Sequence, residues 1–88
     1  MPRAHGINRS DIREKAKQII ANVAGIDIEE LDRELKLREE LMLDSLKEME
    51  IVARTELSFG IALDEELLIN VQTLNEYCDL IEKAVESK

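Results

Sequence analysis

The chain has 88 residues, 44% of them hydrophobic and 36% charged, with one Pro and three Gly. That length holds one compact domain and excludes a multi-domain enzyme, and the scarcity of Pro and Gly favours helix. Twelve basic against twenty acidic residues give a net charge of -8, which argues against nucleic acid or an anionic membrane as partner and for proteins with basic faces. The imbalance is uneven: five basic and two acidic residues make the first 17 positions +3, whereas seven basic and eighteen acidic residues leave positions 18 to 88 at -11. The lone Cys78 has no internal disulfide partner, no apolar run approaches the ~18 residues of a membrane span, and the opening MPRAHG has no signal-like apolar stretch. The expectation is a cytoplasmic protein.

Residues 1 to 8 hold the only Pro and the only His, His5, with no apolar periodicity, and read as a lead-in to a domain over 9 to 86. From Ser10 or Asp11, the residues Ile12, Ala16, Ile19, Ile20 and Val23 recur as one stripe of an amphipathic helix, and Gly25 is placed to stop it. Residues 26 to 43 carry Ile26, Ile28, Leu31, Leu35, Leu37, Leu41 and Leu43 two or four apart among charges, without a sustained period. That pattern predicts a long connection pinned by its own leucines, with a short helical turn near Glu29 to Leu31. Asp44 and Ser45 open a second helix, running to Ser58, Phe59 and Gly60, with Leu46, Met49, Val52, Ala53 and Leu57 read as inward. Asp64-Glu65-Glu66 precedes a short third helix over Leu67 to Ile69, as the positive end of a helix dipole favours. Thr73-x-x-Glu76 has capping-box spacing ahead of Leu74, Tyr77, Cys78, Ile81 and Val85, a fourth helix. The fold class expected is all-α, a small four-helix bundle with a long loop between helices one and two.

The usual catalytic constellations are absent from the sequence. No His or Cys cluster suits a metal, no Gly-rich loop suits a phosphate, no Asp-x-Asp-x-Asp-Gly run suits calcium, and no His stands by to activate a serine. Acidic pairs such as Glu29-Glu30, Glu39-Glu40 and Glu65-Glu66 read as solvated faces, since paired-carboxylate catalysis needs a desolvated site. The single informative segment is Leu41-Met42-Leu43-Asp44-Ser45-Leu46, with a serine in the first turn of an acidic helix after a long loop. Ser45-x-x-Glu48 also fits a capping box, so an ordinary helix cap accounts for the serine as well, although Asp44 is able to cap in its place.

This segment resembles the attachment motif of acyl carrier proteins, usually Gly-x-Asp-Ser-Leu on a four-helix bundle, and the resemblance runs from about Ile12 to Ile81. It implies that Ser45 is esterified to a 4'-phosphopantetheine arm taken from coenzyme A, that the arm's thiol holds an acyl group, and that the chain does no catalysis itself. It further implies a recognition surface on helix two, with Asp44, Glu48, Glu50 and Glu56 outward beside Leu46, interrupted by Lys47 and Arg54. The implied partners are a phosphopantetheinyl transferase and acyl-loading and condensing enzymes with basic docking faces, acting on a monomer. Carriers of this kind shelter acyl chains between helices, and Val52, Leu67, Leu68 and Ile69 are the candidate lining in an aliphatic core whose only aromatics are Phe59 and Tyr77. Two positions depart from the family pattern. Lys47 replaces an acidic residue common after the Ser-Leu pair, which speaks for partners other than those of housekeeping fatty-acid synthesis. Met42 replaces the usual Gly, crowds the approach to Ser45 and gives up backbone freedom.

The reading is therefore a stand-alone carrier serving fatty-acid, polyketide or related acyl transfer. The neighbouring alternative is an aminoacyl carrier of the peptidyl or D-alanyl type. From other classes stand an unmodified acidic helical adaptor and, least of all for want of a base, a small hydrolase using Ser45.

Overall fold

The computed structural model describes residues 8–32 and 36–87, an all-α arrangement. Among them are five α-helices, α1 Arg9–Ala24, α2 Leu37–Leu41, α3 Ser45–Phe59, α4 Glu65–Leu68 and α5 Leu74–Glu86, with a 3-10 helix at Ile28–Asp32. The three long helices form a small bundle in which α1 packs on both α3 and α5, and the short elements lie in the connections. Of the expected lead-in, all but Asn8 lies outside the described residues, His5 included. Asn8 itself is the α1 cap, its side-chain oxygen accepting the Asp11 N–H at 2.9 Å. The helix therefore begins at Arg9, slightly ahead of the expected Ser10 or Asp11. Gly25 ends it with φ 75°, a left-handed turn whose N–H bonds the Ala21 carbonyl at 2.9 Å.

The connection over 26 to 43 is pinned as expected. Leu31 and Leu37 are buried in the core, and Ile26, Ile28, Leu41 and Leu43 are packed half-buried against it; Leu35 lies outside the described residues. The expected turn near Glu29 to Leu31 is the 3-10 helix Ile28–Asp32. Not expected is α2, which at five residues is too short to print a repeating stripe on the sequence. It is held by its surroundings: the Leu37 N–H bonds the Gln72 carbonyl at 2.7 Å, and Lys36 pairs with Thr73 in an isolated antiparallel bridge.

The expected inner face of the second helix, α3, needs correction. Leu46 is 75% exposed, Met49 65% and Leu57 84%, and Ala53 is exposed as well. The buried residues are Ile51, Thr55 and Phe59, four apart, with Val52 half-buried beside them. The buried stripe thus leaves Leu46, Met49 and Leu57 outside and takes in a threonine between Ile51 and Phe59. Thr55 is tolerated at 0% exposure because it is satisfied twice, donating to the Ile51 carbonyl at 2.8 Å and accepting from the Tyr77 hydroxyl at 2.7 Å. In α4 the cap is Asp64, which accepts the Glu66 N–H, and the helix covers Glu65–Leu68, leaving Ile69 as its C-terminal flank. The Thr73–Glu76 capping box at α5 is formed in both directions, and Leu74, Tyr77, Cys78 and Ile81 are buried behind it, with Val85 half-buried.

Burial pushes the Tyr77 phenol up to about 12, against a partial lowering by its bond to Thr55. An unfolded chain ionises this group near 10, so the buried neutral phenol contributes stability in full below about pH 10 and loses it as the pH climbs towards 12. Thermal melts across pH 9 to 12 are expected to show this decline in the native chain and a weaker one in Tyr77→Phe. At neutral pH, Tyr77→Phe should cost about 1 kcal/mol in urea unfolding, and Thr55→Val, which strands the buried phenol, about 1–3 kcal/mol.

Candidate functional site

Ser45 is the first residue of α3 and is exposed. The cap is Asp44, whose carboxylate accepts the Lys47 N–H at 2.9 Å, so the serine is not spent on capping and the sequence ambiguity resolves in favour of Asp44. Among the described residues the Ser45 hydroxyl has no hydrogen-bond partner. The first helical bond runs from the Glu48 N–H to the Asp44 carbonyl, which leaves the N–H groups of Ser45 and Leu46 without a helical acceptor, so the start of α3 offers partial positive charge beside that hydroxyl.

Met42, three residues before Ser45, has φ 54° and ψ 46°, the one left-handed residue other than glycine among those described. It ends α2 where glycine ends α1 and α3, and its side chain is 83% exposed. Left-handed backbone costs a side-chain-bearing residue about 1–2 kcal/mol, which the pinned leucines on either side hold in place.

Behind Ser45 the space between α3 and α4 forms an open groove of about 500 Å³, lined by Arg38, Ser45, Glu48, Met49, Val52, Ala53, Glu56, Leu63, Glu65, Leu68 and Ile69. Next to it, reaching towards the buried Ile20, Ile51 and Tyr77, is a small apolar cavity of about 60 Å³ that is itself partly open, lined by Ile20, Leu37, Arg38, Leu43, Glu48, Ile51, Val52, Leu68, Val71 and Tyr77. Arg38, Glu48, Val52 and Leu68 belong to both walls. The Arg38 guanidinium bonds the Glu48 carboxylate at 2.7 Å and reaches the carbonyls of Leu68 and Val71 at 3.1 Å each and of Ile69 at 3.4 Å. One side chain thereby ties α2 to α3 and to the end of α4.

The residues singled out on the sequence divide into two groups. Asp44, Leu46 and Glu50 are exposed, Glu50 in the i, i+4 pair with Arg54 at 2.6 Å. Glu48 and Glu56 are half-buried and engaged inside the fold, Glu48 with Arg38 and Glu56 accepting the Leu63 N–H at 2.8 Å. Of the four pocket candidates, Val52 and Leu68 line the cavity, whereas Ile69 reaches only the outer groove and Leu67 faces a separate cleft beside Leu80 and Lys83. The sequence reading did not single out Arg38. A lone arginine in a charged stretch carries no signal of its own, and only the tertiary fold gives it four acceptors, the Glu48 carboxylate on α3 and three carbonyls at and just beyond the end of α4. Among the described residues no group of three or more His, Cys, Asp or Glu side chains is arranged to hold a metal, and no helix is long and apolar enough to cross a membrane.

Residues 14–81 match the family model described as a phosphopantetheine attachment site. The chain is 32% identical over 79 residues to the acyl carrier protein of Thermosynechococcus vestitus, covering 90% of this chain and 98% of that protein. It is 33% identical over 76 residues to the acyl carrier protein of Thermotoga maritima, covering 86% and 94%. The corresponding protein of Saccharopolyspora erythraea is 31% identical over 74 residues, covering 84% and 78%.

The left-handed strain at Met42 is directly measurable. Met42→Gly is expected to stabilise the fold by about 0.5–1 kcal/mol, the relief of strain exceeding the added chain entropy of glycine. Met42→Val, with branching at Cβ, should destabilise it. Urea midpoints of the three proteins give the order Gly, Met, Val; any other order removes strain as the explanation.

Proposed function

The chain belongs to the acyl carrier protein family with its phosphopantetheine attachment site, and on that footing we propose that Ser45 is the residue that bears the arm. As in the family at large, the chain serves as a phosphopantetheine-bearing acyl carrier, a role that is not itself catalytic, and works with a phosphopantetheinyl transferase and acyl-transfer enzymes. The arm, once attached, supplies a thiol that holds the acyl group as a thioester. The observation that carries the assignment is the exposed, unbonded Ser45 hydroxyl at the start of α3 beside an independent cap, Asp44.

The residues present fit such a group. Ser45 presents an oxygen that no neighbour competes for, and the start of α3 favours the negative charge of a phosphodiester by its orphan N–H groups and helix dipole. Proton removal from the hydroxyl falls to the transferase, since no histidine stands near Ser45 in the sequence.

Next to the serine Asp44 carries exposed negative charge, farther along α3 the exposed Glu50 shares its charge with Arg54, and Met42, Leu46 and Met49 expose apolar surface. This combination suits partners whose docking faces pair basic residues with an apolar contact, the charges steering the encounter. In this reading Asp44, Leu46 and Glu50 meet the partner directly, while Glu48 and Glu56 act through the fold. The domain over 9 to 86 acts as a monomer, and a cytoplasmic location goes with this reading.

Incubation with coenzyme A and a promiscuous phosphopantetheinyl transferase, followed by intact mass, tests the site. The native chain should gain one phosphopantetheinyl group. Ser45→Ala should gain none while keeping its thermal melt, because the cap is Asp44. A gain in the alanine variant moves the site elsewhere, and no gain in the native chain favours the unmodified adaptor.

Val52 and Leu68 are the proposed entrance to an acyl shelter. At about 60 Å³ the cavity is well below the ~150 Å³ that holds a benzene-sized guest, so cargo enters only as α3 and α4 part. A medium-length acyl load is expected to raise the melting temperature over the arm alone, as binding to the folded state requires. An unchanged melt counts against the shelter.

A further inference from the structure

We infer that the Arg38–Glu48 pair is a latch across the path from Ser45 to the interior cavity and sets the acyl length at which cargo moves inside. The inference rests on the proposed attachment at Ser45 and the proposed shelter.

Three observations carry it. Both residues belong to the wall of the outer groove that contains Ser45 and to the wall of the inner cavity. The pair is closed at 2.7 Å, and the same guanidinium holds the carbonyls of Leu68 and Val71 at 3.1 Å, so it fastens the end of α4 over the cavity. The remaining residues common to both walls, Val52 and Leu68, are apolar and offer an entering chain no comparable resistance. To admit cargo, α4 must move away from α3, and that motion separates Arg38 from Glu48 or from the carbonyls. The cost of breaking the latch is fixed, whereas the gain from burying cargo grows with every methylene group. Short acyl groups therefore stay in the groove with the latch shut, and chains beyond a threshold length open it. Half-exposed, the pair is also within reach of a docking enzyme whose own charge competes for Arg38 or Glu48.

The test uses the full chain loaded through the transferase with a series of straight acyl groups from acetyl to decanoyl. Cleavage of each thioester by hydroxylamine is followed by intact mass. In the native chain, cleavage is expected to be uniform for short groups and to slow beyond a threshold. Glu48→Gln, which leaves the carbonyl bonds of Arg38 in place, should move the threshold about one methylene shorter and slow cleavage about two- to five-fold at that length. Arg38→Met should move it further; should that variant fail to fold, Glu48→Gln alone decides. Asp79→Asn, which breaks the remote Arg9 pair, should leave the threshold in place. A native threshold that neither latch variant moves overturns the latch and leaves the shelter standing. No protection at any length in any variant overturns the shelter and the latch together, and failure to load the native chain overturns the attachment reading beneath both.

Discussion

A single carboxylate closes the start of α3. Because Asp44 accepts the Lys47 N–H, the helix is closed one residue before Ser45, and the serine enters at a position where its hydroxyl has no structural duty. Had Ser45 been the cap, its oxygen would have been bonded to the Glu48 N–H, and any esterification would have unravelled the first turn. With the cap on Asp44, the first turn does not depend on the Ser45 hydroxyl, the proposed point of attachment. That cap also keeps orphan N–H groups of the first turn available to an anion, so the geometry that stabilises the helix also suits the proposed phosphodiester.

The long connection extends that logic into three dimensions. Leu31 and Leu37 anchor it in the core, the Lys36–Thr73 bridge and the Leu37–Gln72 bond tie it to the start of α5, and Met42 absorbs the sharp turn that delivers the chain to Asp44. Arg38 then reaches from this anchored segment to α3 and α4 together. The result is an uneven structure: α1, α3 and α5 each bury several side chains in the core, while four-residue α4 has no fully buried residue, packs Leu68 half-buried against that core and is tied at its end by Arg38. Mobility on this side is what a low density of buried contacts leads one to expect.

Much of this was legible in the sequence because it rests on local rules. The α1 stripe, the glycine stop at Gly25, the capping box at Thr73 and the serine at a helix start all follow from spacing within a few residues. The inner face of α3 was not legible, since hydropathy favours Leu46, Met49 and Leu57, whereas the bundle buries Thr55 by satisfying its hydroxyl through Tyr77, 22 positions away. Helix α2 escaped notice for want of length, and Arg38 for want of any local signature, its partners coming from two other elements. Of the four acids that the family resemblance implies as outward, Glu48 and Glu56 are half-buried and engage partners that only the tertiary fold supplies. Of the pocket residues, Val52 and Leu68 line the cavity, and Leu67 and Ile69 fall outside it because α4 is a single turn whose sides diverge.

The chain has no tryptophan and a single tyrosine, and that tyrosine lies against the inner cavity with its hydroxyl fastened to Thr55. Its ultraviolet emission therefore originates from one place, the seat that cargo would occupy. Were the proposed shelter to take cargo, that tyrosine would report it with no dye, label or added residue.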